Sequence, residues 1–149
     1  MAARQAPEQV GEVEFEPPRI ACIVSGGNYS FGLLNRTGEC VIAIPPSRIA
    51  RKVVQIGNCH GDKIDKFAAV SLTAKPALRV GAPLIAECFV NLECKVIDRK
   101  LVRTYNMFIL EVVKAWTDPQ KKDCKTLHHC GYGQFVLDGR LISLPSKMR

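Results

Sequence analysis

The chain has 149 residues, 47% of them hydrophobic, and 21 basic against 14 acidic residues give it a net charge of +7. That length fits one domain able to bury a core without metal or disulfide staples, and no stretch reaches the roughly 20 apolar residues a membrane span requires. Seven cysteines, an odd number set mostly in apolar runs, argue against a disulfide framework and for reduced core thiols, hence a soluble cytoplasmic protein.

The opening stretch "MAARQAPEQVGEVEFEPP" has no apolar core of the kind a signal peptide needs. Residues 1–11, polar and without periodicity, read as a flexible leader, with one domain over 12–149. Pro17-Pro18 leads into a first strand over 19–25. Ser30 is placed to cap a short helix, "FGLLNRT", which Gly38 would end. A second apolar run, "CVIAI" (40–44), stops at Pro45-Pro46. Ser47 then caps a helix, "RIARKVVQIG", with Ile49, Val53 and Ile56 on one face. "NCHGDKI" reads as a loop and "DKFAAV" as a helical turn.

Beyond this point the pattern becomes β. Over 87–95, Cys88, Val90, Leu92 and Cys94 alternate with Glu87, Asn91, Glu93 and Lys95, which predicts one buried and one wet face. Phe89 interrupts the polar series, as at a subunit contact. Residues 106–116 form another strand. "YGQFVLDGRLISL" reads as a hairpin turning at Asp138-Gly139, a dipeptide suited to a type I′ turn. There is no internal repeat and no alternation of strands and helices of the βαβ kind. An antiparallel barrel with short helical insertions fits best.

Several stretches could carry chemistry. "SGGNYS" (25–30) stops a strand and opens a helix with hydroxyls and glycines. It is either a plain turn or an anion site made of unpaired first-turn amides. "CKTLHHC" gathers Cys124, His128, His129 and Cys130, but its spacing matches no standard zinc pair. Cys59-His60 lacks an orienting acid for nucleophilic catalysis. Asp62 and Asp65 read as loop and helix-start residues, and Trp116 as core or dimer contact. "GYG" (131–133) is too short for a dinucleotide fingerprint. Scattered basic residues and 7% aromatics argue against a nucleic-acid stacking platform.

Taken in order, "VEFEPPRIACIVSGGNYSFGLLNRTGECVIAIP", "GNCHGDKIDKF", "GAPLIAECFVNLECKVID" and "FILEVVKAW" resemble the flavin reductase-like, FMN-binding split-barrel family from Glu12 onward. The resemblance implies a mainly β, Greek-key split barrel and a homodimer with FMN near the subunit interface. It also implies an oxidoreductase passing electrons from NAD(P)H through the flavin, with no membrane or nucleic-acid partner. It assigns Ser25, Asn28, Tyr29 and Ser30 to the ribityl phosphate, and Lys66 to the same phosphate, with Lys63 as its rival. Gly57 and Gly61 flank the loop that would fold over the ring system, and His129 falls on the substrate side. No residue need act as acid or base. Family members carry more chain before the Pro-Pro strand than "MAARQAPEQVGEVE". The second reading is therefore a flavin-free, N-terminally shortened barrel acting as a binding or structural dimer.

Overall fold

The computed structural model describes residues 10–59, 61, 63–118, 120 and 125–139. Strand β1 (Val10–Phe15) turns through the cis Glu16-Pro17 bond into β2 (Pro18–Ile23), so Val10 and Gly11, read as leader, lie in a strand. Helix α1 (Tyr29–Thr37) and strand β3 (Glu39–Ile44) follow. A 3₁₀ turn (Ser47–Ile49) then opens α2 (Ala50–Gly57). After α3 (Lys66–Ala69) come the short β4 (Ala74–Lys75) and β5 (Leu84–Ile85). The long strands β6 (Val90–Asp98) and β7 (Met107–Thr117) are joined by α4 (Val102–Tyr105). Strands β8 (Leu127–Gly131) and β9 (Gln134–Leu137) form a separate hairpin.

The main sheet runs β1-β2-β7-β6-β3 with every neighbouring pair antiparallel. Within it, β2-β7-β6-β3 is a Greek-key order, because β2 pairs with β7, the last strand of this sheet, rather than with β3. One row crosses all five strands with alternating sign: Glu14, Arg19, Glu111, Lys95, Glu39 are successive partners. Opposite charges paired across strands each contribute roughly 0.2–1 kcal/mol. A slip of one residue would turn the row to the other face, so it helps fix the register.

One face of the sheet packs Ile20, Cys22, Cys40, Cys94, Phe108 and Leu110 against Val24, Leu34 and Val102. Phe31 of α1 meets Phe108 edge-on, with ring centroids 5.5 Å apart. Leu34, Phe108 and Leu110 are at most 1% exposed, and burying each such side chain is worth about 1.5–3 kcal/mol. Of the six described cysteines, all free thiols, Cys22, Cys40, Cys88 and Cys94 are buried.

The other face is covered as well, which corrects the expectation of a wet side on β6. Residues 77–85 lie across it, packing Val80, Ala82 and Leu84 on Val41, while Ile85 and Cys88 meet Ala43 with Ile49, Phe67 and Leu72 alongside. Asn91 and Glu93, expected in solvent, are 6% and 0% exposed. The Asn91 amide exchanges two hydrogen bonds with the backbone of Ile85. The Glu93 carboxylate accepts from Leu78 N (3.0 Å), Arg79 N (2.5 Å) and Trp116 Nε1 (2.6 Å). Opposite Glu93 and Cys94 the register shifts by one residue at Val113 of β7, a bulge in the partner strand.

Two capping expectations also change. Asn28 and Pro46 take the N-cap positions that Ser30 and Ser47 were expected to fill, and neither makes a side-chain cap bond. Gly38 does end α1, in the left-handed conformation at φ 68°. The final hairpin turns at Tyr132-Gly133, both at positive φ. Asp138 closes the base of this hairpin, and the second arm of the hairpin expected around Asp138-Gly139 lies outside the described residues.

Burial would raise the Glu93 carboxyl, but the indole N–H and the amides of Leu78, Arg79 and Val80 outweigh it and hold it below the ordinary 4.5. Its contribution is therefore present above that ordinary value and lost as pH falls through the lower folded value. Glu93→Gln sets an NH₂ among donors and should cost about 2–4 kcal/mol, combining lost charged hydrogen bonds with unsatisfied amides. Urea unfolding at neutral pH measures this; a loss below about 0.5 kcal/mol would be a surface-like response and would contradict the assignment.

Candidate functional site

The stretch that ends β2 is a compact turn. Asn28 N donates to Ser25 O at 2.9 Å, and Phe31 N to Asn28 O at 2.9 Å. Asn28 is extended (φ −83°, ψ 137°), so α1 begins abruptly beside it. Phe31 N is already paired, while the amides of Tyr29 and Ser30 open the helix ahead of its first intrahelical bond, and the helix dipole makes this end positive. No acidic residue stands in that first turn. The far end is tied down by Arg99, whose Nη1 donates to the backbone and side-chain oxygens of Asn35.

The second element is α3. Asp65 caps it, accepting from Phe67 N (2.9 Å) and Ala68 N (3.3 Å). Lys66, 6% exposed, sends Nζ to Ile56 O at 2.9 Å. An ammonium at the carbonyl end of α2 is favoured by that helix's dipole. Both groups belong to a run, "DKF", in which a cap and the residue after it necessarily point to adjacent sides of one turn.

Between the start of α1 and α3 lies a cavity of about 230 Å³, walled by Tyr29, Ser30, Leu33, Gly61, Ile64, Asp65, Lys66 and Phe67. Gly61 is there because the loop runs close to both elements: a Cβ would sit 3.2 Å from Tyr29 Cδ1 and 3.5 Å from Lys66 Cε. The wall thus joins a buried hydroxyl, a helix start and a buried ammonium, a donor set for an anion. Among the described residues Asp65 is the one carboxylate on it, and two amides bonded to the same oxygen temper its charge.

Tyr29, Ser30 and Lys66 therefore stand together on this wall. Ser25 and Asn28 form the turn leading into it, and Gly57 ends α2 one residue after the carbonyl that holds Lys66. Lys63 is exposed and not among the lining residues. His129 lies in the β8–β9 hairpin, its ring 4.9 Å from that of Phe135. His60, Asp62 and Cys124 lie outside the described residues. Sequence reasoning did not single out Leu33, Ile64, Asp65 or Phe67 as wall residues. Helical spacing from Tyr29 was a signal for Leu33, and the Asp-x-Phe cap one for Asp65 and Phe67.

At the base of the hairpin, Asp138 accepts from Thr126 N at 2.9 Å and from the Thr126 hydroxyl, and stands 3.0 Å from His128 Nε2. The Thr126 hydroxyl and amide, with His128, push its carboxyl down from 3.8 to about 2. The clamp is therefore intact above the ordinary value of 3.8 and released as pH falls toward about 2. Hydrogen exchange at Thr126 N and Asp138 N should accelerate in Asp138→Ala at neutral pH, relative to the wild type. Unchanged protection in that variant would show that the hairpin closes without the clamp.

A five-stranded Greek-key sheet with both faces covered and an anion-suited cavity at one helix start defines a split-barrel architecture. Residues 9–135 match the flavin reductase like domain model, and the chain belongs to that family. It is 28% identical over 113 residues to an uncharacterized Archaeoglobus fulgidus protein, covering 76% of this chain and 64% of that one. This chain thus spans somewhat under two thirds of that relative's length. It is 31% identical over 143 residues to the uncharacterized protein YddH of Escherichia coli, covering 88% of this chain and 76% of the relative. The fold matches the crystal structure of an FMN-binding domain of a flavin reductases-like enzyme from Shewanella baltica, with a TM-score of 0.84 at 22% identity. That match covers 91% of this chain and 78% of the other.

Proposed function

We propose that the chain binds FMN by its phosphate end in the cavity between α1 and α3, and works as a flavin oxidoreductase using NAD(P)H. The observation that carries this is the convergence of the α1 start, Ser30 and the buried Lys66 on one wall. The residues present fit the group. First-turn amides and a hydroxyl suit phosphate oxygens, the ammonium offsets the charge, and Gly61 leaves room where a β-carbon would press on Tyr29. A volume of about 230 Å³ is below the roughly 300–1,000 Å³ of sites enclosing a whole drug-sized ligand. It suits the phosphate end rather than the entire flavin.

When bound, FMN supplies the redox chemistry, accepting a hydride equivalent from reduced nicotinamide and delivering electrons onward. The chain's own work is binding and orientation. The α2 carbonyl end holds Lys66 in place, the Ser25–Asn28 hydrogen bond sets the angle of α1, and Tyr29 and Ile64 border the cavity with apolar surface. A second copy of the chain is the expected partner, as a homodimer. Exposed Phe15, Leu78, Tyr105 and Tyr132 supply apolar surface in keeping with that reading. No helix among the described residues is long and apolar enough to cross a membrane.

Titrating FMN fluorescence with the purified chain should give saturable quenching at one flavin per chain. Lys66→Ala should weaken FMN binding by about 1–3 kcal/mol, the worth of a charge-assisted contact. Fluorescence unmoved at tens of micromolar wild-type protein would refute the function, and an unchanged Kd in the variant would remove Lys66 from the site.

A further inference from the structure

Asn106 lies far along the chain from the turn that opens α1, yet it touches that turn. It ends α4 in the left-handed conformation, φ 54° and ψ 25°, donating its amide to Val102 O at 2.9 Å. Asparagine is among the few residues with a side chain that occupy this region readily. Its carbonyl accepts from Val24 N at 3.1 Å, the last backbone tie before the turn begins. Its carboxamide covers Gly26, where a Cβ would lie 3.4 Å from Asn106 Oδ1. A methyl group there would meet the carboxamide at ordinary contact distance.

We propose that Asn106 is a positioning residue for the phosphate-binding turn, an assignment that rests on the flavin reading above. The turn is held at two points. Asn106 fixes Val24 and Gly26 on one side, and the Ser25–Asn28 hydrogen bond passes that placement to the start of α1 on the other. Binding groups perform only when a supporting layer holds them in place, and the amides of Tyr29 and Ser30 receive that support through this turn. The carboxamide is also neutral and packs on the turn that leads into the anion site, where a carboxylate of the same shape would add a negative charge near it.

Two variants separate the contributions. Asn106→Asp keeps the shape and adds a charge; Asn106→Gly keeps access to the left-handed conformation and removes the side chain. Each is titrated against FMN and against riboflavin, which lacks the phosphate, at low and high salt, with folding checked by circular dichroism. Asn106→Asp should lose about tenfold or more in FMN affinity at low salt, narrowing at high salt, with riboflavin changed less than about twofold. Asn106→Gly should weaken FMN by roughly threefold to tenfold through a looser turn. FMN affinities within about twofold of wild type in both variants, or a salt-independent loss equal for both flavins, overturn the assignment while leaving the flavin reading intact. A wild-type chain that binds neither flavin overturns the flavin reading, and this inference with it.

Discussion

A carboxylate with no solvent exposure in the middle of a strand is the constraint on which the rest of the molecule hangs. Glu93 is tolerable in the sheet only because three backbone amides and an indole N–H converge on it. Left unpaired, a buried charge costs several kcal/mol. Those same bonds lay residues 77–85 across the second face of the sheet, where they bury Val41 and Ala43. Phe67 of α3 packs into that layer beside Ala43 and Ile85, and Lys66 is the residue before it. The placement of the cavity-wall ammonium thus traces back through one layer of packing to a strand position that reads as exposed.

Two helix ends of opposite polarity meet at the cavity. The start of α1 offers the amides of Tyr29 and Ser30, and the carbonyl end of α2 is partly neutralised by Lys66 at Ile56 O. The arrangement favours a negatively charged group between α1 and α3, and the Ile56 carbonyl helps hold its cation in place. Asp65, an acid on the same wall, caps α3. The sheet beneath is kept in register by the sign-alternating row from Glu14 to Glu39, to which Glu39 adds a bond from Gly81 N at 2.9 Å. Membership of the flavin reductase like domain family agrees with this picture.

What could be read from the sequence was local. The strand around "RIACI", the left-handed stop at Gly38, the short helix at "DKFAA" and the strand over 106–116 all declare themselves within a few residues. The antiparallel, mainly β class followed from them. Tyr29, Ser30 and Lys66 were singled out through a family resemblance, and they do share one wall. The readings that failed depended on distant partners. Nothing near Asn91 or Glu93 announces that residues 77–85 will supply their hydrogen bonds, so alternation alone put them in water. The turn joining β8 to β9 went unread, since Tyr132 carries no strong turn signal of its own. Tyr132 nonetheless takes a positive φ of 51°, because the pairing of His129 with Phe135 and the Asp138 clamp fix the register from below. Gly61 is legible as a loop glycine, but that Tyr29 and Lys66 press on it from two elements is visible only in three dimensions.

The most direct test of where the anion goes is a map of amide chemical shifts in the isotope-labelled chain as FMN is added. The account predicts saturable changes concentrated at Tyr29, Ser30, Gly61, Lys66 and Phe67, with the β8–β9 hairpin amides little affected. Changes centred on the hairpin or spread along the sheet, with the α1 start silent, would contradict it.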